Sequence, residues 1–137
     1  MYLLDTNVIA ELRKATRADK HVVSWAESVR PSSLFLSVIT IMELELGILR
    51  IARRDHKQGD MLRRWLEDRV LSAFADHVLP IDTAVARRCA ELHVPDPRNE
   101  RDALIAATAL VHGMTVVTRN GSDFHATGVA VLDPWVG

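Results

Sequence analysis

The sequence predicts an α/β domain built on a mainly parallel sheet of about five short strands, with helices on the faces of the sheet. Three observations carry this expectation. Short apolar runs ("MYLL", "SLFLS", "HVLPI", "MTVVT" and "VAVLD") recur at strand length along the chain. The longer segments between them place apolar residues at helical spacing. Strands that alternate with helices need crossover connections, which give parallel pairing and cover the sheet with helices.

The elements follow in order. "MYLL" reads as a short buried strand, and a helix follows over Asn7 to Lys14. A second helix covers His21 to Val29 and is closed by Pro31. "SLFLS" is the second strand, followed by a long helix from Ile39 to Arg54 and another from Gly59 to Phe74, with a break near Asp55–Gly59. "HVLPI" is the third strand, and Thr83 to His93 form a helix stopped by Pro95 and Pro97. A last helix from Asn99 to His112 ends at Gly113, the residue type that most readily adopts the left-handed turn after a helix. "MTVVT" and "VAVLD" close the chain as strands.

With 137 residues and no repeat or linker, the chain is expected to be one domain, 1–137, large enough to bury a core. A composition of 48% hydrophobic and 26% charged residues excludes a disordered chain. Formal net charge is −1, so any preference for a polyanion must be local. The single cysteine, Cys89, lies in the apolar pattern "VARRCAELHV" and reads as a buried helix thiol. Without a leader-like segment or a run long enough to span a bilayer, the expected location is cytoplasmic.

Four acids stand where such a fold binds ligands, beyond the carboxyl ends of the strands. Asp5 directly follows the first strand; helix capping by Asp5, Thr6 or Asn7 is the simpler alternative. Glu43 shares a helix face with Gly47, Arg50 and Arg54, whereas Glu45 points the other way and reads as a solvated or locally bonded acid. Glycine weakens a helix, so Gly47 is read as a point of close approach. Asp102 sits in the first turn of the last helix, where Asn99 three residues earlier resembles a capping box. Thr118, Asn120 and Asp123 lie just past a strand end, at the turn dipeptide Asn120–Gly121. Acids gathered at one rim repel, and hard divalent cations with oxygen ligands, Mg²⁺ or Mn²⁺, suit a cluster without His or Cys. Such a site serves phosphoryl transfer.

The set "LLDTNV", "SVITIMELELGIL", "RDALIAATAL" and "VVTRNGSDF", in that order and spacing, resembles the PIN-domain ribonucleases, most closely the VapC toxins of bacterial toxin–antitoxin pairs. The resemblance spans nearly the whole chain. It implies a three-layer fold with a parallel sheet between helices, and a metal-dependent endoribonuclease that hydrolyses RNA phosphodiester bonds. Asp5, Glu43, Asp102 and Asp123 match the catalytic, metal-binding acids, and Thr6 and Asn120 match polar residues that support them. It further implies a homodimer, and neutralisation by a cognate antitoxin that inserts a basic side chain, to which arginine is well suited. Two departures are Arg101 immediately before Asp102, and Asp133 where an amide is frequent; neither is read as touching the four acids. Arg50 and Arg54 share the Glu43 face and are candidates to hold RNA phosphates.

Two other readings compete. An aspartyl-phosphate phosphatase would use Asp5 as nucleophile, but Asn7 stands where that chemistry wants a second acid, and the last lysine is Lys57. An inactive binding module would keep the acidic pocket to receive a basic peptide.

Overall fold

The computed structural model describes residues 1–136. Five parallel strands form one sheet in the order β3-β2-β1-β4-β5: β1 (Tyr2–Leu4), β2 (Leu34–Ser37), β3 (Val78–Leu79), β4 (Thr115–Val117) and β5 (Val131–Leu132). β1 lies at the centre, with Tyr2, Leu3 and Leu4 paired to Thr115, Val116 and Val117 of β4. From β1 the chain winds outward on one side to β2 and β3, and later on the other side to β4 and β5. The reversal puts a crevice at the carboxyl ends of β1 and β4, the position at which open parallel sheets bind ligands.

Successive strand residues point to opposite faces, and two cores result. Leu3, Phe35 and Val116 pack under α6 (Thr83–Leu92) and α7 (Glu100–His112). Leu4, Leu36 and Val117 pack on the other face with α1 (Thr6–Leu12), α2 (Lys20–Ser28), α3 (Val38–Ala52) and α4 (His56–Trp65). The strands are covered on both sides, which explains why they read as unbroken apolar runs. Cys89 lies buried in the first of these cores, as its helical pattern predicted.

Side-chain caps fix the helix starts. Asp19, Asp55, Asp82 and Asn99 each accept a bond from a main-chain N–H in the first turn that follows. Gly113 takes the left-handed conformation, φ 67°, at the end of α7. Two boundaries differ from expectation. α3 ends at Ala52, so Arg54 lies beyond it, and α4 begins at His56, because the Asp55 carboxylate caps Gln58 N–H. α4 then continues through a π-helical segment, Leu66–Val70, into the short α5 (Leu71–Ala73).

The glycine that marks a close approach is Gly59, not Gly47. A Cβ at Gly59 would lie 2.6 Å from Ala52 Cβ and 2.8 Å from Ala52 Cα, whereas a Cβ at Gly47 would meet nothing within 4 Å. The helix crossing of α3 and α4 therefore runs over Gly59. Gly59→Ala is expected to destabilise the fold by about 1–3 kcal/mol through overpacking. Gly47→Ala is expected to stabilise it by up to about 1 kcal/mol through helix propensity. Urea unfolding midpoints of the two variants check the opposite signs.

Candidate active site

Asp5 continues the β1 strand by one residue, its N–H bonded to Val117 O at 2.9 Å. Its side chain is 8% exposed and caps α1, with Oδ1 accepting from Thr6 N–H at 2.8 Å. The capping reading is therefore correct but incomplete. Oδ2 accepts the hydroxyl of Thr118 at 2.8 Å, across the crevice from the end of β4. Thr118 is fully buried, and its Oγ1 also accepts from Asn7 Nδ2 (3.1 Å) and Asn120 N–H (3.0 Å). Asn7 Oδ1 in turn accepts Arg119 N–H at 3.2 Å, tying the two strand ends together.

Glu43 reaches the same place from α3, where its Oε1 accepts the Thr6 hydroxyl at 2.6 Å. Its Oε2 lies 3.7 Å from Arg101 Nη1. This corrects the reading of Arg101 as remote from the acids: α7 starts beside α3, and the long guanidinium arm of its first turn reaches across. Glu45 faces away and pairs with Arg63 of α4.

Asp102 lies in the first turn of α7, its main-chain N–H capped by Asn99 Oδ1 at 3.1 Å, which leaves its carboxylate directed elsewhere. Asp123 lies in the 3₁₀ turn Gly121–Phe124 after β4. Burial, followed by the charges of Asp123, Asp5 and Glu43, raises the Asp102 carboxyl to about 6. Burial also raises Asp5; the hydrogen bonds from Thr118 and Thr6 N–H oppose this, and the charges of Glu43 and Asp123 add to it. The four acids thus come from four separate elements into one electrostatic neighbourhood.

Thr6 and Asn120 both touch this neighbourhood, Thr6 through its hydroxyl and Asn120 through its main-chain N–H. The direct partner of Asp5 is Thr118, which the sequence placed just past a strand end but without a role of its own. The signal was present: in the β1–β4 register Leu4 faces Val117, so Asp5 faces Thr118 one step on. Arg50 and Arg54 are exposed, and the hollow beside Glu43 is lined on α3 by Leu44, Gly47, Ile48 and Ile51 instead.

Among the described residues, no three Asp, Glu, His or Cys side chains converge at metal-ligating spacing. Both oxygens of Asp5 and of Glu43 are engaged by neighbours on the chain. The donor chemistry nevertheless fits a hard divalent cation, because every candidate ligand is an oxygen. Burial first, with the repulsion between the acids adding to it, raises Asp5 and Asp102, and a bound cation relieves these costs of ionisation.

A family model described as PIN domain matches residues 2–130. VapC ribonuclease Y4jK of Sinorhizobium fredii is 39% identical over 140 aligned residues, which cover 98% of each chain. The crystal structure of FitAcB from Neisseria gonorrhoeae is similar with a TM-score of 0.91 and 37% identity, covering 100% of both chains. A toxin–antitoxin complex from Klebsiella pneumoniae contains a chain similar at TM-score 0.71 and 28% identity, with 98% of each covered.

Proposed function

This chain belongs to the PIN-domain family, and on that premise we propose that it is a VapC-type toxin, an endoribonuclease that hydrolyses RNA phosphodiester bonds with Mg²⁺ or Mn²⁺. The observation that supports this reading is that Asp5 and Asp102, both raised mainly by burial, each also feel the charges of Glu43 and Asp123, which draws four acids from separate elements into one neighbourhood near the carboxyl ends of β1 and β4. These four acids would hold the cation. When bound, it would supply a Lewis acid for phosphoryl oxygens and make water a stronger nucleophile at neutral pH.

The chain's own residues position the acids. Thr118 fixes the Asp5 carboxylate and is fixed in turn by Asn7 and Asn120 N–H. Thr6 caps nothing itself but holds Glu43, so one turn of α1 orients two acids. Arg101 beside Glu43 offers a cation to a substrate phosphate. Arg50 and Arg54 are proposed as outer phosphate contacts. The phosphatase alternative loses ground because the Asn7 amide is committed to Thr118 and Arg119 N–H, which makes it part of the scaffold.

The partner is proposed to be a cognate antitoxin that presents a basic side chain to the acids, in line with the toxin–antitoxin complex among the similar structures. A homodimer is supported by exposed Met42 and Leu49, seven residues apart on one stripe of α3. No helix among the described residues is long and apolar enough to cross a membrane, and action on RNA is proposed to take place in the cytoplasm.

The purified protein is expected to cut mixed RNA with Mg²⁺ or Mn²⁺ and to stop when EDTA is added. Gel analysis of the products checks this, and full cutting in EDTA would sink the metal-dependent reading.

A further inference from the structure

The acids do not account for a groove that leads away from them. A hollow of about 210 Å³ has Thr6 and Glu43 in its lining, and also Arg13, Trp65 and the α3 backbone at Gly47. Arg13 and Trp65 line a second cavity too, of about 560 Å³, with Arg64, Asp68 and Arg69 around it. The Arg13 guanidinium lies 5.8 Å from the centroid of the Trp65 ring, so this pair is the wall that the two hollows share. The π-helical segment after α4 carries Asp68 and Arg69 to the rim.

Three arginines here face one aspartate. Among the described residues none of the three is in an ion pair, while neighbouring Arg63 and Lys14 are paired with Glu45 and Glu11. A polyanion that brings one phosphate to the four acids is repelled there, and the whole chain has a net charge of −1. Its binding energy must then come from local cations. Trp65 is half-buried against the core, with part of it lining both hollows. Arginine beside an accessible part of an aromatic ring is a combination that holds single strands, with a base against the ring and phosphates on the guanidinium groups. Arg13 follows Thr6 by seven residues, about 10 Å along the helix axis and its cap, a reach of a few nucleotides.

We propose that Arg13, Trp65, Arg64 and Arg69 form a subsite for single-stranded RNA flanking the cleaved phosphodiester, with one base stacked at Trp65 and adjoining phosphates on the arginines. This rests on the ribonuclease reading above.

The test uses Trp65→Ala, Trp65→Phe and the exposed double variant Arg64→Ala/Arg69→Ala. Binding of a short, mixed-sequence, labelled single-stranded RNA is measured against salt in an Asp5→Asn background with EDTA. Cleavage is measured separately with Asp5 intact and Mg²⁺ present. Trp65→Ala is expected to weaken binding about five- to a hundred-fold, and Trp65→Phe to recover most of it. The arginine pair is expected to flatten the slope of log affinity against log salt by about 1.4, at roughly 0.7 per single-strand phosphate contact. KM is expected to rise by a larger factor than kcat falls. An unchanged salt slope and an unchanged KM in the arginine variant would overturn the subsite. So would a loss of affinity confined to a co-expressed antitoxin, which would make the groove a protein-docking surface. A wild type that binds this RNA but never cuts it would count against the ribonuclease reading and leave the subsite standing.

Discussion

Asp5→Asn is expected to lower RNA cleavage by about a thousand-fold or more and to leave the fold in place. Charge stabilisation by a cation at a phosphoryl centre is worth several kcal/mol, and each 1.4 kcal/mol is about tenfold in rate. The amide keeps the shape and still accepts Thr6 N–H at its oxygen. It also brings an NH₂ against Thr118 Oγ1, which already accepts from Asn7 and Asn120 N–H. A hydroxyl has two acceptor lone pairs, so one of three donors goes unmet, at a cost of about 1–3 kcal/mol. Removing a buried charge that feels Glu43 and Asp123 works in the opposite direction. The two effects offset each other, and the melting temperature is expected to stay within a few degrees of wild type. Cleavage assays and thermal melts on the same preparation check both halves. Cleavage close to the wild-type rate in a folded Asp5→Asn protein would remove Asp5 from the reaction.

Thr118 shows where sequence reading stopped short. Asp5 was visible because an acid at the end of a buried strand is unusual, and the fold class says where strand ends meet. Thr118 was visible as a polar residue past a strand end, but a hydroxyl in the turn around Asn120–Gly121 declares no partner; only the pairing of Leu4 with Val117 sets it opposite Asp5. The glycines make the same point. Propensity identifies Gly47 as costly, but cannot tell which helix face a neighbour crosses, and that face belongs to Gly59. Strands were legible because helices cover both sheet faces. Helix starts were legible only where a cap such as Asn99 stands, and Asp55 moved one start three residues earlier than the apolar pattern indicated. The 3₁₀ turns and the π segment answer to packing and leave no periodic trace. Arg101 stood out only as a cation next to Asp102, and the fold sets it beside Glu43; nothing in the sequence pattern pointed to Arg13, which the fold sets against Trp65.

Asp102→Asn is expected to abolish cleavage and yet leave the metal-free protein at least as stable as wild type at neutral pH. The Asp102 carboxyl titrates at about 6 in the folded chain, against 3.8 for the ordinary value, through burial and then the charges of Asp123, Asp5 and Glu43. Between those two pH values the folded state binds more protons than the unfolded state, so stability falls as pH rises through this window. Above about pH 6 the ionised carboxylate opposes folding in full; below the ordinary value the penalty is absent. Asn carries no such penalty. After allowance for solvent screening of a half-buried group, the variant is expected to gain on the order of 1 kcal/mol at pH 7.5 and only a small part of that at pH 4. Its main-chain N–H keeps the Asn99 cap, because that bond does not involve the altered side chain. Excess Mg²⁺ should then raise the wild-type melting temperature by preferential binding to the folded state, more at pH 7.5 than at pH 5, since the ligands must be deprotonated. The variant should respond less at both. A helix-terminus role alone makes the contrary prediction: mild destabilisation by Asn where the carboxylate is ionised, fading at low pH, and indifference to Mg²⁺. Melting curves of the two proteins at both pH values, with EDTA and with Mg²⁺, separate these outcomes. Equal Mg²⁺ shifts in wild type and variant would reduce Asp102 to part of a helix terminus and leave the cation to the other three acids.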